Sequence, residues 1–298
     1  MTATLSSILA AAATAAIASS SALAGSSTPA LPPTPPPTTG DWLSHTISPV
    51  NNPIFFEDPT IRSEIRPIYM RHNIDNGFIT KGGDVNLYAL QVRWAITDRL
   101  ALIATKDGYV DINPGAGPGA SGWADVGLGL KYALIDDRAN QFILTPGVTF
   151  EAPFGQKKVF QGNGDGEFNL FVSAAKGFGD FHLTTNVGFR LPIDGDAESS
   201  SFHYSLMADY YVCNWFIPFV SMNGSSVISN GNALPLDSEG YDLINFGSTS
   251  ADTSITLGGG FRTRIRPNLD FGFGYETAVV NPKGLFADRF TFDMIWRF

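Results

Sequence analysis

Cysteine is almost absent from this chain of 298 residues: Cys213 is the only one. No internal disulfide can form, and there is no cysteine cluster for a metal. The four histidines, His45, His72, His182 and His203, show no zinc-like spacing. Neither a metal nor a cofactor is therefore expected. Charged residues make up only 16% of the chain, and the formal charge is −9. That sign is unfavourable for nucleic acid. Beyond the amino-terminal region no run of about 18 apolar residues occurs, which excludes membrane-spanning helices. The mean hydropathy of +0.03 is ordinary, yet the chain holds 23 Phe and 31 Gly. Strands that alternate apolar and polar residues average out in this way, and a membrane barrel made of them escapes a hydropathy scan.

The last segment shows such alternation most clearly. Phe290, Phe292, Met294, Trp296 and Phe298 share one face of an extended strand. An apolar closing strand with a terminal aromatic suits a barrel in lipid, with the aromatic at the interface. The segment is similar to the terminal assembly signal of bacterial outer-membrane barrels, carried here by Trp296 and Phe298. That similarity implies a bacterial outer-membrane location and the barrel assembly machinery as a partner. A buried edge strand of a soluble sandwich is the plain alternative.

The opposite terminus is consistent with export. Ile8 to Leu23 is Ala-rich and uncharged, and Ala22-Leu23-Ala24 before Gly25 fits a cleavage site. Residues 1–24 therefore read as a signal peptide, although no Lys or Arg precedes the apolar run. Residues 25–40 (GSSTPALPPTPPPTTG) read as a Pro- and Thr-rich disordered tether. Residues 41–298 read as the barrel. Within them, Trp42 to Ser63 has no clean period and suits either a periplasmic cap or an insert in the lumen. Export with so little cysteine also suits an oxidising periplasm.

From Glu64 onward about a dozen segments near ten residues long alternate in polarity, the length that crosses a bilayer at a tilt. Tyr88, Leu90, Val92 and Trp94 form one apolar face; Leu183, Val187, Phe189 and Leu191 form another. The connections alternate between short turns, such as Arg266-Pro267-Asn268, and long polar loops. Asp107 to Ser121 and Asn223 to Ala251 are the longest of these loops. Tight periplasmic turns and longer outer loops are the layout of a transmembrane barrel. The expected fold is all-β: a closed, transmembrane antiparallel β-barrel of about twelve strands with both termini in the periplasm. Pro146 and Pro218 fall within strands and require a bulge or an end position.

Strand parity sends the other side chains inward. The expected lumen set includes Arg93, Lys131, Glu151, Arg190, Asp209, Arg262, Arg264, Asp270, Glu276 and Asp293. Two uses fit them: a ladder along a solute path, or a cross-strand charge network that fills and stiffens the barrel. Inward glycines, among them Gly258, Gly272 and Gly274, leave room either for a solute or for bulky groups opposite. The outer loops are acidic, and Gly162 to Glu167 is rich in Gly and oxygen ligands. It lacks the spaced acids and closing Glu of a calcium loop.

Gly122-Trp123-Ala124-Asp125-Val126-Gly127-Leu128-Gly129-Leu130-Lys131-Tyr132 resembles the Gly-x-Gly-Asp-x-x-Leu-Gly-Leu-Lys-Tyr strand of the meta-pathway phenol-degradation family. Pro153-Phe154-Gly155 resembles that family's Pro-Thr-Gly. Ala124 and Phe154 depart from the pattern. The resemblance implies an outer-membrane transporter of small, often hydrophobic or aromatic, compounds. The expected function is thus a non-enzymatic channel for passive solute passage, with outer-membrane lipid and a small-molecule solute as partners. The alternatives are a structural or surface-interaction barrel with a blocked lumen, and a membrane-embedded hydrolase using His203 and Ser205.

Overall fold

Alternation becomes a closed sheet in the computed structural model, which describes residues 42–281 and 284–298. The expected signal peptide and tether lie outside these residues, as does Asp41. Fifteen strands are present among the described residues: β1 (Glu64–Ile74), β2 (Gly83–Ala95), β3 (Leu100–Lys106), β4 (Tyr109–Pro114), β5 (Ala120–Trp123), β6 (Val126–Tyr132), β7 (Ile135–Asp137), β8 (Phe142–Ala152), β9 (Glu167–Phe178), β10 (Phe181–Pro192), β11 (Ser200–Tyr210), β12 (Ile217–Ser229), β13 (Thr253–Arg266), β14 (Leu269–Val280) and β15 (Asp288–Arg297).

Twelve of them close a circuit. It runs β1, β15 and back through β14 to β8, then β6, β3 and β2, and β2 pairs β1 again. Every pairing is antiparallel. Closure is obligatory in hydrocarbon, where an open edge would leave backbone groups unpaired. The first and last strands seal the seam, with Glu64 opposite Arg297 in the β1–β15 register.

The expected Asp107 to Ser121 loop is instead a hairpin. β4 pairs the first half of β2, from Gly83 opposite Pro114 to Tyr88 opposite Tyr109. It therefore continues β3 after a break at Asp107-Gly108. Gly108 sits at φ +118, and a Cβ there would strike the Tyr88 carbonyl, so the break needs glycine. Glycine and proline at the hairpin tip hide the short alternation of Tyr109 to Ile112. β12 likewise runs on to Ser229, so the long loop before β13 begins at residue 230.

Pro146 is accommodated by an irregularity in the facing segment between β6 and β7. Lys131 faces Gly147 and Ile135 faces Leu144. Three residues thus oppose two, and the unpaired stretch lies across from Pro146. Pro218 is the second residue of β12, near its end.

The outer surface is apolar. Trp94, Leu102, Leu130, Leu170, Leu206, Leu257 and Met294 are all exposed around the circuit. In a water-soluble protein such a continuous belt would be an anomaly; against acyl chains it is required. No helix among the described residues is long and apolar enough to cross a membrane, so the strands provide the crossing.

Candidate functional site

The bore is filled by the segment that lacked a period. Residues 42–62 enter from the short-turn end as irregular chain, with one 3-10 turn at Trp42–Ser44. Three prolines, Pro49, Pro53 and Pro59, keep this segment from forming regular structure of its own. Its backbone carbonyls consequently need partners inside the barrel, and inward wall side chains supply them. Arg262 donates to Ser48 O (3.0 Å) and Arg66 to Pro49 O (2.6 Å). Gln91 donates to Pro53 O (2.8 Å), Ser173 to Glu57 O (2.7 Å), Lys131 to Asp58 O (2.6 Å) and Thr145 to Pro59 O (2.6 Å). Asn51 donates to Ser221 Oγ at 2.9 Å. The inward glycines of β13 and β14 make room for this plug: a Cβ at Gly258 or Gly274 would collide with the Asn51 side chain.

Charge holds the plug as well. Glu57 is buried between Arg93 (Nη2–Oε2 2.6 Å) and Lys131 (Nζ–Oε1 2.6 Å). Burial alone would raise the Glu57 pKa, but the two cations outweigh it and hold the carboxyl down at about 2. Asp58 is ionised for a similar reason: burial raises its pKa, while Arg62, Lys131 and hydrogen bonds from Ser48 and Thr60 lower it further.

The outer half of the bore is closed by the loop after β12. Tyr241, Asp242, Leu243, Ile244, Asn245 and Phe246 are all buried. Asp242 accepts from Arg289 (2.7 Å), which also pairs Glu276 (2.5 Å). The Tyr241 carbonyl accepts from Arg190 at 3.1 Å, and Asn245 donates to Glu167 at 2.9 Å. Loop and plug meet in an apolar cluster of Ile54, Phe55, Leu243, Ile244 and Phe246, packed against Met70, Val85 and Leu87 of the wall.

All ten expected lumen residues lie inside, and each has an opposite charge or a polar partner. Besides Arg93 and Lys131, Arg262 pairs Asp293 (2.8 Å) and Arg190 pairs Glu167 (2.5 Å). Arg264 pairs Asp270 (3.2 Å), Glu276 pairs Arg289, and Glu151 pairs Lys106. Asp209 contacts His182 Nδ1 at 2.8 Å. The expected set does not include Glu57, Arg66, Lys106, Glu167, Asp242 or Arg289, which complete these pairs. Arg66 and Arg289 were open to the same parity argument on β1 and β15; Glu57 and Asp242 lie in segments without a period. Trp296 and Phe298 are on the outside, 51% and 62% exposed, with their rings in edge contact.

The hydrolase arrangement is not assembled. His203 points inward, its Nε2 2.7 Å from Asn169 Oδ1 and its ring stacked on Phe55 of the plug. Ser205 accepts from Asn52 of the plug at 3.3 Å. Neither side chain faces lipid.

Closure, apolar belt and polar interior define an outer-membrane β-barrel with an internal plug, and the protein belongs in the bacterial outer membrane. No family model and no curated protein matches the chain. Solved barrels do. The NanC porin aligns with a TM-score of 0.51 at 10% identity, over 79% of this chain and 100% of that one. The COG4313 outer membrane channel from Pseudomonas putida F1 aligns with a TM-score of 0.52 at 15% identity, over 85% of this chain and 100% of that one. At such identity the likeness is one of fold.

Proposed function

We propose that this barrel is a passive conduit for small hydrophobic or aromatic compounds, gated by residues 42–62 and by the loop after β12. The observation that carries this reading is the apolar sector of the bore. Met70, Val85 and Leu87 of the wall, with Val110 and Ile112 of β4, face inward although the same strands already present an apolar face to lipid. The lining packs the seated plug and loop, and it offers an apolar solute a path once they shift. The Gly122 to Tyr132 resemblance to the meta-pathway phenol-degradation family supports the same solute class, and the two aligned barrels, a porin and a channel, suit a conduit without pointing to a solute. The expected lumen charges then act first as the seat of the plug and meet solute only once it shifts. Trp296 and Phe298 serve in assembly, as the terminal signal for the barrel assembly machinery.

A second reading has its own observation. The buried pairs of Glu57 hold the plug firmly enough to suit a structural barrel with a permanently blocked lumen. Uptake separates the two. Porin-depleted Gram-negative cells carrying this protein should take up a labelled monoaromatic compound faster than cells without it. Equal rates would overturn the conduit and leave the structural barrel.

A further inference from the structure

At the short-turn end, between plug and wall, lies an open cavity of about 470 Å³. Its lining is strongly cationic, with Arg62 from the plug, Arg138 from the turn before β8, Arg264 and Arg266 from β13, and Arg297 from β15. Several of these charges are already met. Asp270 takes both Arg264 and Arg297, the latter at 2.6 Å, and Arg138 is held by Asp136.

Arg62 is different. It makes no side-chain hydrogen bond or ion pair among the described residues, and its Nη2 is shut off from solvent. Its strongest electrostatic partner, Asp58, offsets part of its charge across space but takes its hydrogen bonds elsewhere, from Ser48 Oγ at 2.6 Å and from the Thr60 amide at 2.7 Å. Arg297 Nε is also buried without a hydrogen bond, 3.8 Å from Glu64. Arg266 stands exposed at the rim with no partner among the described residues. The Arg62 and Arg297 side chains nevertheless line the open cavity and are only partly buried, so an anion from outside can take charge-assisted hydrogen bonds from the guanidinium surface they present there. Ile61 and Ile265 line the same space, so its walls also favour hydrocarbon.

We infer that this cavity is a periplasmic-side binding site for a small organic carboxylate with an apolar body, its carboxylate on Arg62 and flanked by Arg297 and Arg266. The site goes beyond the conduit reading and does not depend on it, because it opens at the barrel end whether or not the bore conducts.

The test is calorimetric titration of the full-length protein in detergent with benzoate, benzyl alcohol and inorganic phosphate. Saturable benzoate binding is expected, with benzyl alcohol and phosphate each at least about tenfold weaker. Arg62→Gln should weaken benzoate binding at least about tenfold. Arg266→Gln should weaken it about threefold, and its exposed position puts folding at no risk. A heat-dependent gel mobility shift reports whether the Arg62→Gln barrel has folded; if it has not, Arg266→Gln decides. No benzoate binding to the unsubstituted protein would overturn the proposal. So would equal affinity for benzyl alcohol or phosphate, or unchanged affinity in the deciding variant. Uptake by cells reads a separate quantity, so failure of the conduit and failure of this site are distinguishable.

Discussion

Glu57 is the residue on which the plug turns. Its carboxylate is the shared counter-ion of two buried cations, Arg93 and Lys131. Glu57→Gln would leave Lys131 without its ion pair and Arg93 with only Glu64, at 3.4 Å. Breaking a buried pair from one side costs about 3–5 kcal/mol, here borne by plug docking rather than by the sheet. Limited proteolysis within residues 42–62 should accelerate sharply in the variant, while the strands stay protected. The same pair sets a pH window. Because the folded pKa is depressed to about 2 from 4.5, its contribution is complete above pH 4.5 and fades as the pH falls toward 2. Protease resistance of the plug should be flat from pH 8 to 5 and decline below that range. Glu198, in the loop after β10, behaves oppositely. Burial first, and then the charge of Glu167, push its pKa up to about 8 from 4.5. Its ionisation therefore penalises the fold increasingly as the pH rises from 4.5 to 8. Glu198→Gln should stabilise the outer loops at pH 8, by about 1–2 kcal/mol, and hardly at all at pH 4. Hydrogen exchange of residues 193–199 at the two pH values would show it.

At the scale of elements, the plug and the loop after β12 are the parts that fill a sheet otherwise able to stand hollow. The wall strands pair with one another along their length and need neither insert for backbone hydrogen bonds. Deleting residues 42–62 should accordingly leave a barrel that folds and shows heat-dependent mobility. It should also convert a nearly silent protein into one with steady ion conductance in planar bilayers. A variant that folds but stays silent would mean that the loop alone closes the bore. How much was legible in the sequence follows the same division. β9 to β11 and β13 to β15 follow from alternation because each residue's face depends on parity alone. The β4–β5 hairpin did not, since its strands are short and its tip is rich in Gly and Pro. The lumen set was legible as a set of inward charges. Its use as a plug seat was not, because Glu57 meets Lys131 across 74 residues and Arg66 meets Asp293 across 227.

The whole molecule is defined by its solvent. An outer face of Trp, Leu, Phe and Val demands lipid or detergent, and it makes the belt sensitive to charge. Val172 lies toward the middle of β9 and faces outward, 38% exposed. Val172→Arg should destabilise the barrel by about 2–4 kcal/mol if it sits at the bilayer midplane, read by denaturant titration in lipid vesicles. The sequence by itself determined the class of molecule, its strand number, its lipid-facing belt and the polarity of its interior. Those features are local: a period of two and the lengths of turns can be read along the chain. Only the tertiary structure decided what occupies the interior. The plug and the inward loop have no period to announce them, and their places are chosen by charges and carbonyls that meet only after the sheet has closed.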